Sequence, residues 1–237
     1  MATTGHTVKA FDEELDQLRA TVCEMGGLAE AAIRDSMEAL VRRDAEGAGV
    51  VVSRDKKIDE LEAEIERSAV QIIALRAPMA DDLRDVVAAL KIAGVVERIG
   101  DYAKNIAKRV ASIEDSKIRA MSLLPEMARI AGEMVHNALD AFAARDAQKA
   151  LRVVERDAAV DDFYNSIFRA LLTHMMENPH NITPATHLLF AAKNLERIGD
   201  HATNVAEMVY FAATGEHLAD RPKGADTTEI GADDLID

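Results

Sequence analysis

An internal duplication is the feature that most constrains how this chain can fold. The stretch ERIGDYAKNIA, residues 97–107, returns as ERIGDHATNVA, residues 196–206, which is 99 positions later (196 minus 97). Eight of the eleven residues are identical, and the shared set includes a glutamate, an aspartate four residues further on, and a glycine between them. Because one structural unit written twice predicts two similar folds in tandem, each half of the chain is expected to form its own copy.

Shorter landmarks extend the duplication beyond this motif. The pairs Arg43-Asp44 and Arg54-Asp55 return 102 residues later as Arg145-Asp146 and Arg156-Asp157, so the spacing of 11 between the pairs is kept. The offset then falls from 102 to 99 before the long motif. A loop between two helices absorbs such a length change at little cost.

Within each half, breakers and apolar periodicity predict three long helices. Pro78, Pro125 and Pro184 fall near predicted helix starts, with Pro184 in the first helical position after Thr183, and Gly215 is a natural end for the last helix. The predicted segments are residues 8–43, 45–76, 80–112, 121–144, 147–178 and 183–214. The fold class predicted is all-α, with two tandem, pseudo-symmetric antiparallel three-helix bundles.

The predicted boundaries divide the chain into a first bundle at 1–114, a second bundle at 115–216 and an acidic, disordered tail at 217–237. Gly26-Gly27, inside the first predicted helix, indicates a kink or a close helix crossing.

Composition supports a helical globular protein and excludes several functions. Hydrophobic residues make up 49% of the chain and aromatic residues only 4%, so the core is expected to be aliphatic. A formal net charge of -14 argues against direct binding of nucleic acid. Cys23 is the only cysteine, which excludes an intrachain disulfide and a thiolate metal cage. Without an apolar run long enough to span a bilayer, the chain is expected to be cytoplasmic and to reach a membrane only through a protein partner.

The repeated carboxylates predict a metal site in each half. Residues four apart share a helix face, so Glu97, Asp101 and Asn105 form one oxygen-rich line, which Glu196, Asp200 and Asn204 repeat. The preceding helix of each half carries a second acidic line. Like charges at this spacing are destabilising, and hard cations prefer carboxylate and amide oxygens. The candidate ligands are Asp55, Asp59, Glu97, Asp101, Asn105, Asp157, Asp161, Glu196, Asp200 and Asn204.

Two other interpretations of the charged residues remain open at this point. The acidic lines are also compatible with ordinary solvated helix faces, since Lys104 and Lys193 offer neutralising charges. Glu133-x-x-His136 and Glu177-x-x-His180 each spell a pattern found in di-iron carboxylate bundles, which would imply a metal-storage protein or an enzyme, although Pro179 interrupts the second. No other pattern suggests catalysis.

The two long motifs resemble the signature helices of the PhoU family of phosphate-signalling regulators. The relevant stretches are LKIAGVVERIGDYAKNIAKR and AAKNLERIGDHATNVAEMVYFAATG, and the resemblance covers residues 8 to 216. It implies paired three-helix bundles that assemble as a homodimer, with metal ions such as Mg, Mn, Fe or Zn held by Glu97 and Asp101 in one half and by Glu196 and Asp200 in the other. Tyr164 replaces Glu62 in the second half, so the second site is expected to have one carboxylate fewer.

The resemblance also implies a non-enzymatic role. Proteins of this family are negative regulators of the phosphate-starvation response, acting between the ATPase subunit of a phosphate ABC transporter and a membrane sensor histidine kinase. Both proteins are therefore expected partners. A regulator of this kind needs only to bind one state of the kinase more tightly than the other.

Overall fold

The computed structural model describes residues 3–113 and 122–218, and these residues form six long helices. The helices are α1 (Thr3–Arg42), α2 (Ala45–Arg76), α3 (Asp81–Ala107), α4 (Leu124–Ala144), α5 (Ala147–Glu177) and α6 (Ile182–Thr214). The described part of the chain contains no β-strand. The all-α class and the six-helix order predicted from the sequence are confirmed.

Several helix ends differ from the predicted ones, and α4 begins at Leu124 instead of residue 121. Helix α1 begins at Thr3, several residues earlier than predicted, and α3 ends at Ala107 before a single 3-10 turn at Val110–Ser112. Helix α6 begins at Ile182, so Pro184 is its third residue and not its first. Proline is tolerated there because the first four N–H groups of a helix have no partner within the helix.

The repeated Arg-Asp pair forms the turn between the first two helices of each half. Arg43 and Arg145 adopt positive φ angles of 56° and 52°, in the left-handed region that ends a helix. The aspartates that follow cap the next helix, since the Asp44 carboxylate accepts from the backbone N–H of Gly47 and the Asp146 carboxylate accepts from that of Lys149.

Helices α1–α3 pack as one three-helix bundle and α4–α6 as a second, joined through α1 against α4 and α3 against α6. The buried residues form one continuous aliphatic core that runs through both bundles. Ile99 and Ile106, from the repeated motif, are fully buried. Their counterparts Ile198 and Val205 are at most 1% exposed.

Helices α3 and α6 run antiparallel. Arg84, near the start of α3, donates from Nε to the carbonyl oxygen of Ala212 at the end of α6, at 3.4 Å. At the opposite end, Nη1 of Arg109, just beyond α3, lies 3.3 Å from Nδ1 of His187, in the second turn of α6. Equivalent segments of the two halves therefore meet about a pseudo-twofold axis.

A buried aspartate ties the two bundles together at one end of this contact. Asp85 in α3 is only 6% exposed, and its carboxylate accepts from Nη2 of Arg19 in α1 at 2.6 Å. Its second oxygen lies 2.9 Å from Nη2 of Arg145 in the α4–α5 turn. One carboxylate thus links three elements from both bundles.

Gly26 marks a close helix crossing, one of the two alternatives that the sequence left open. Helix α1 continues through Gly26-Gly27 without interruption. A Cβ atom on Gly26 would lie 2.2 Å from Cδ1 of Leu139 in α4, whereas one on Gly27 would meet nothing within 4 Å. Only Gly26 is required by packing.

The predicted boundary between residues 114 and 115 lies outside the described residues, as does the predicted tail from residue 219 onward. Within the described part, no helix combines the length and the apolarity that a membrane span requires.

Candidate metal centres

The first acidic cluster lies between α2 and α3. Asp55 and Asp59 extend from α2, and Glu97 and Asp101 from α3, so the structure brings together the four carboxylates predicted for the first half. Gly100 permits the close approach of the two helices, because a Cβ atom there would lie 2.8 Å from Cδ1 of Ile58. The glycine of the motif therefore allows α2 and α3 to pack closely at the cluster.

Lys104 neutralises one end of the first cluster. Its Nζ donates to Oδ2 of Asp55 at 2.5 Å across the helix pair, and it also forms an ion pair with Asp101 on its own helix. Burial opposes the charged ammonium, but the hydrogen bonds that it donates to Asp101 and Asp55 outweigh this effect and raise the pKa of Lys104. The buried carboxylate of Asp55 is thereby compensated.

The other end of the first cluster is an accumulation of uncompensated negative charge. Burial, followed by repulsion from Asp101 and Glu62, raises the pKa of Glu97. Burial and the carboxylate of Asp59 likewise raise the pKa of Glu62, and burial with the charge of Asp55 raises the pKa of Asp59. Carboxylates raise one another's pKa in this way when they share a site without enough counter-charge.

The second acidic cluster lies between α5 and α6 and has its lysine at the opposite end. Asp157 and Asp161 come from α5, and Glu196 and Asp200 from α6. Nζ of Lys193 lies 2.7 Å from Oε1 of Glu196, while the buried Oε2 of the same glutamate has no hydrogen-bond partner in the described structure. An orphaned buried carboxylate oxygen is the kind of atom that a cation would satisfy.

Asp200 is the most strongly perturbed carboxylate of the second cluster. Asp200 is exposed to solvent on one side. Partial burial of its carboxylate, together with repulsion from Glu196, Asp157 and Asp161, nevertheless raises its pKa to about 6. Burial and the charge of Asp157 also raise the pKa of Asp161. The negative charge of the second cluster is therefore most concentrated at Asp200, where the attraction of Lys193 is the smallest of these influences.

The two sites differ in their neighbouring residues. Tyr164 stands where Glu62 stands in the first half, and the ammonium of Lys193 lies 5.0 Å from the centre of its ring. Glu62 belongs to the first cluster, whereas the sequence analysis names it only as the counterpart of Tyr164 and not among the candidate ligands. Its place on the acidic line of α2, seven residues after Asp55, was the signal that could have identified it.

Asn105 and Asn204 lie one turn beyond the aspartates of the motif. Asn105 is half-buried and Asn204 is exposed. Within the described residues, neither side-chain amide hydrogen-bonds to a carboxylate of its cluster. They are candidate outer ligands on position alone.

The donor set of each cluster fits a hard, oxygen-ligated cation. The fit rests on the mutual repulsion of the carboxylates in both halves and on the orphaned Oε2 of Glu196. Among the described residues, however, no three acidic, histidine or cysteine side chains converge closely enough to surround one ion. In this arrangement Lys104 and Lys193 are the counter-ions, and binding of a cation requires the carboxylates to turn towards it.

Among the described residues, the two Glu-x-x-His pairs do not come together as a di-iron site would require. In α4, Glu133 forms ion pairs with Arg129 and Arg156, while Nδ1 of His136 lies 3.1 Å from Oε2 of Glu30 in α1. In the second pair, Glu177 is the last residue of α5 and His180 follows it in a one-turn 3-10 helix. The two pairs lie on different elements and engage different partners.

Comparison with known proteins gives one consistent result. A model of the PhoU domain matches residues 22–110 and 124–209. The chain is 58% identical to the phosphate-specific transport system accessory protein PhoU homolog of Zymomonas mobilis, with 94% of each chain covered. It is 51% identical to the protein of the same description from Caulobacter vibrioides, covering 93% of this chain and 97% of the relative.

Two crystal structures share the fold. PhoU from Pseudomonas aeruginosa matches with a TM-score of 0.84 at 38% identity, covering 87% of this chain and all of that chain. The phosphate transport system regulatory protein PhoU from Streptococcus pneumoniae matches with a TM-score of 0.83 at 27% identity, covering 88% of this chain and 99% of that chain.

Proposed function

The chain belongs to the PhoU domain family, and on that premise we propose that it is a regulatory adaptor that represses the phosphate-starvation response. It couples a phosphate ABC transporter to a sensor histidine kinase and modulates phosphate uptake. One observation carries the proposal: nearly the whole chain is similar to relatives described as accessory proteins of phosphate-specific transport. Both copies of the motif lie inside the residues that the family model matches.

The proposed adaptor works by binding and not by catalysis. Its partners are the ATPase subunit of the transporter and the kinase, and it acts as a homodimer in the cytoplasm, meeting the membrane only through these proteins. Preferential binding to one state of the kinase is sufficient for repression, because a ligand shifts a two-state equilibrium by its difference in affinity for the two states.

Deletion of the gene tests the regulatory role. In phosphate-rich medium, the deletion strain is expected to express phosphate-starvation genes and to take up phosphate abnormally, and a plasmid copy of the wild-type gene is expected to reverse both effects. Silent starvation genes together with unchanged uptake would contradict the proposal.

We further propose that each acidic cluster binds divalent or trivalent metal ions, with Mg, Mn, Fe and Zn as candidates. Glu97 and Asp101 are the principal ligands of the first site, and Glu196 and Asp200 those of the second. Asp55, Asp59, Asp157 and Asp161 support them from the facing helices, and Asn105 and Asn204 are the outermost donors. The support for these sites is that several carboxylates lie close together and repel one another, a repulsion that a bound cation would reduce.

The metal sites are tested by removing one at a time. Glu97→Gln combined with Asp101→Asn is expected to abolish metal at the first site and to leave the second site loaded, with helicity unchanged by circular dichroism. Glu196→Gln with Asp200→Asn is the matched variant for the second site. Metal content measured by mass spectrometry on the purified protein should fall in each variant, and unchanged content in both would refute the ligand assignment.

A further inference from the structure

The antiparallel contact of α3 and α6 places a basic and aromatic surface at the pseudo-twofold axis. Tyr102 and His201 occupy the same position in the two copies of the motif (201 minus 102 is 99), and their rings meet edge to face with centroids 5.2 Å apart. Arg98 and Arg197 are likewise equivalent and lie one turn earlier on each helix. We name these four residues, Arg98, Tyr102, Arg197 and His201, the basic seam.

Both arginines of the basic seam are exposed, and neither has an acidic partner in the part of the chain that the structure describes. Within the described residues neither Arg98 nor Arg197 forms an ion pair, although the protein carries 42 acidic side chains. The guanidinium carbon of Arg197 lies 5.8 Å from the centre of the Tyr102 ring. Burial and the charges of Arg98 and then Arg197 lower the pKa of His201, so both guanidinium groups act on the same ring.

The basic character continues towards one end of the helix pair. The guanidinium carbon of Arg109 lies 4.4 Å above the ring of Phe190, which is 49% exposed, and Nη1 of Arg109 approaches Nδ1 of His187. One buried polar atom along this line, Nε of Arg109, has no hydrogen-bond partner in the described structure. Unsatisfied buried groups of this kind are costly unless something completes them.

Exposed arginines beside partly buried aromatic rings have the composition that dominates binding energy at protein interfaces. Arginine pairs with carboxylates through two parallel hydrogen bonds, so the complementary chemistry is acidic. Glu97 and Glu196 directly precede Arg98 and Arg197, so the carboxylates of the acidic clusters would repel a long polyanion bound to these arginines. A short acidic segment avoids that repulsion.

We propose that the basic seam is the docking surface for an acidic segment of a protein partner, one that presents carboxylates on either side of an apolar side chain. The carboxylates engage Arg98 and Arg197, and the apolar side chain lies on the Tyr102 ring. The proposal rests on the adaptor function. It identifies the basic seam as the surface through which the adaptor contacts the transporter ATPase or the kinase.

Charge reversal on the full-length protein tests the surface. Arg98→Glu with Arg197→Glu is compared with Arg152→Glu and Arg169→Glu, two exposed arginines of α5 that form no ion pair among the described residues. Affinity for the purified ATPase subunit and for the cytoplasmic part of the kinase is measured at low and moderate salt. The seam variant is expected to bind one of them at least about 10-fold more weakly, whereas the α5 variant changes affinity less than about 2-fold.

The outcomes separate this proposal from the adaptor function. If the wild type binds a partner and the seam variant binds it equally well, the docking surface is refuted while the adaptor function stands. If the wild type binds neither protein, the adaptor function fails and the docking surface with it. Light scattering accompanies each measurement, because a change of oligomeric state confined to the seam variant would identify a second copy of this chain as the occupant and would overturn the proposal.

Discussion

Gly100→Ala is expected to destabilise the protein, although alanine is normally preferred to glycine in a helix. The added Cβ would lie 2.8 Å from Cδ1 of Ile58, 3.5 Å from its Cγ2 and 3.6 Å from Oδ1 of Asp55. Forcing an extra methyl group into a packed core costs about 1–3 kcal/mol, and the gain in helix propensity offsets about 1 kcal/mol of this. The net loss in the free energy of unfolding is then about 1 kcal/mol, with a range of about 0–2 kcal/mol.

Gly27→Ala is the matched control. Gly27 is also inside a long helix, but a Cβ atom there would meet nothing within 4 Å. It should gain about 1 kcal/mol from propensity alone. For a chain of this size each kcal/mol shifts the Tm by about 2–4 °C, so the two variants should move the Tm in opposite directions.

A double-mutant cycle identifies the atom responsible. Ile58→Val removes the Cδ1 atom that the new methyl group would strike, and by itself costs about 0.5–1.5 kcal/mol. Combined with Gly100→Ala, it should cost less than the sum of the two single variants in urea unfolding. If Gly100→Ala stabilised the protein as much as Gly27→Ala does, the close approach of α2 and α3 at the first cluster would be wrong.

Three further results are expected. Asp85→Ala should lower the free energy of unfolding, measured in urea titrations, by roughly 3 kcal/mol, because Arg19 and Arg145 lose the carboxylate that they share. A loss below about 0.5 kcal/mol would show that Asp85 does not link the two bundles. The pKa of Asp200 is raised from 3.8 to about 6 in the folded protein, so the free energy of unfolding of metal-free protein should fall as the pH rises from about 4 through 6. Asp200→Asn should make this fall smaller, and an equal pH dependence in the variant and the wild type would contradict the prediction. Chelation of bound metal should weaken partner binding at low salt, since uncompensated carboxylates lie beside the basic seam; affinity unaffected by chelation would rule out this coupling.

Much of the fold could be predicted because the ends of its helices are determined by a few residues that are close in sequence. Arg43-Asp44 and Arg145-Asp146 combine a left-handed helix end with a capping carboxylate, and a single short stretch contains both signals. The pairing of Glu97 with Asp101 on one face needed only the period of the helix. These are properties of a few neighbouring residues, which is why they are visible without a structure.

Contacts between distant elements could not be predicted in the same way. Lys104 was known to share a helix face with Asp101, but its reach to Asp55 depends on how closely α2 approaches α3, which Ile58 and Gly100 set through packing. The meeting of Tyr102 with His201 depends on the antiparallel register of α3 and α6. No periodicity within one helix encodes that register.

The two copies of the motif have diverged in a way that matters for any bound cation. Lys104 is replaced by Thr203 in the second copy, while Gly94 in the first copy is replaced by Lys193. The ammonium therefore sits at the aspartate end of the first cluster and at the glutamate end of the second.

This exchange leaves the two clusters open at opposite ends. Negative charge is most concentrated at Glu97 in the first cluster, directly before Arg98, and at Asp200 in the second cluster, directly before His201. A cation at either cluster would thus neutralise a carboxylate next in sequence to a residue of the basic seam, and would strengthen the attraction of the seam for an acidic partner. Because the first cluster has Glu62 where the second has Tyr164, the two sites differ in charge and should fill at different metal concentrations. Metal occupancy and docking would in this way be linked by proximity alone, without any movement of the helices.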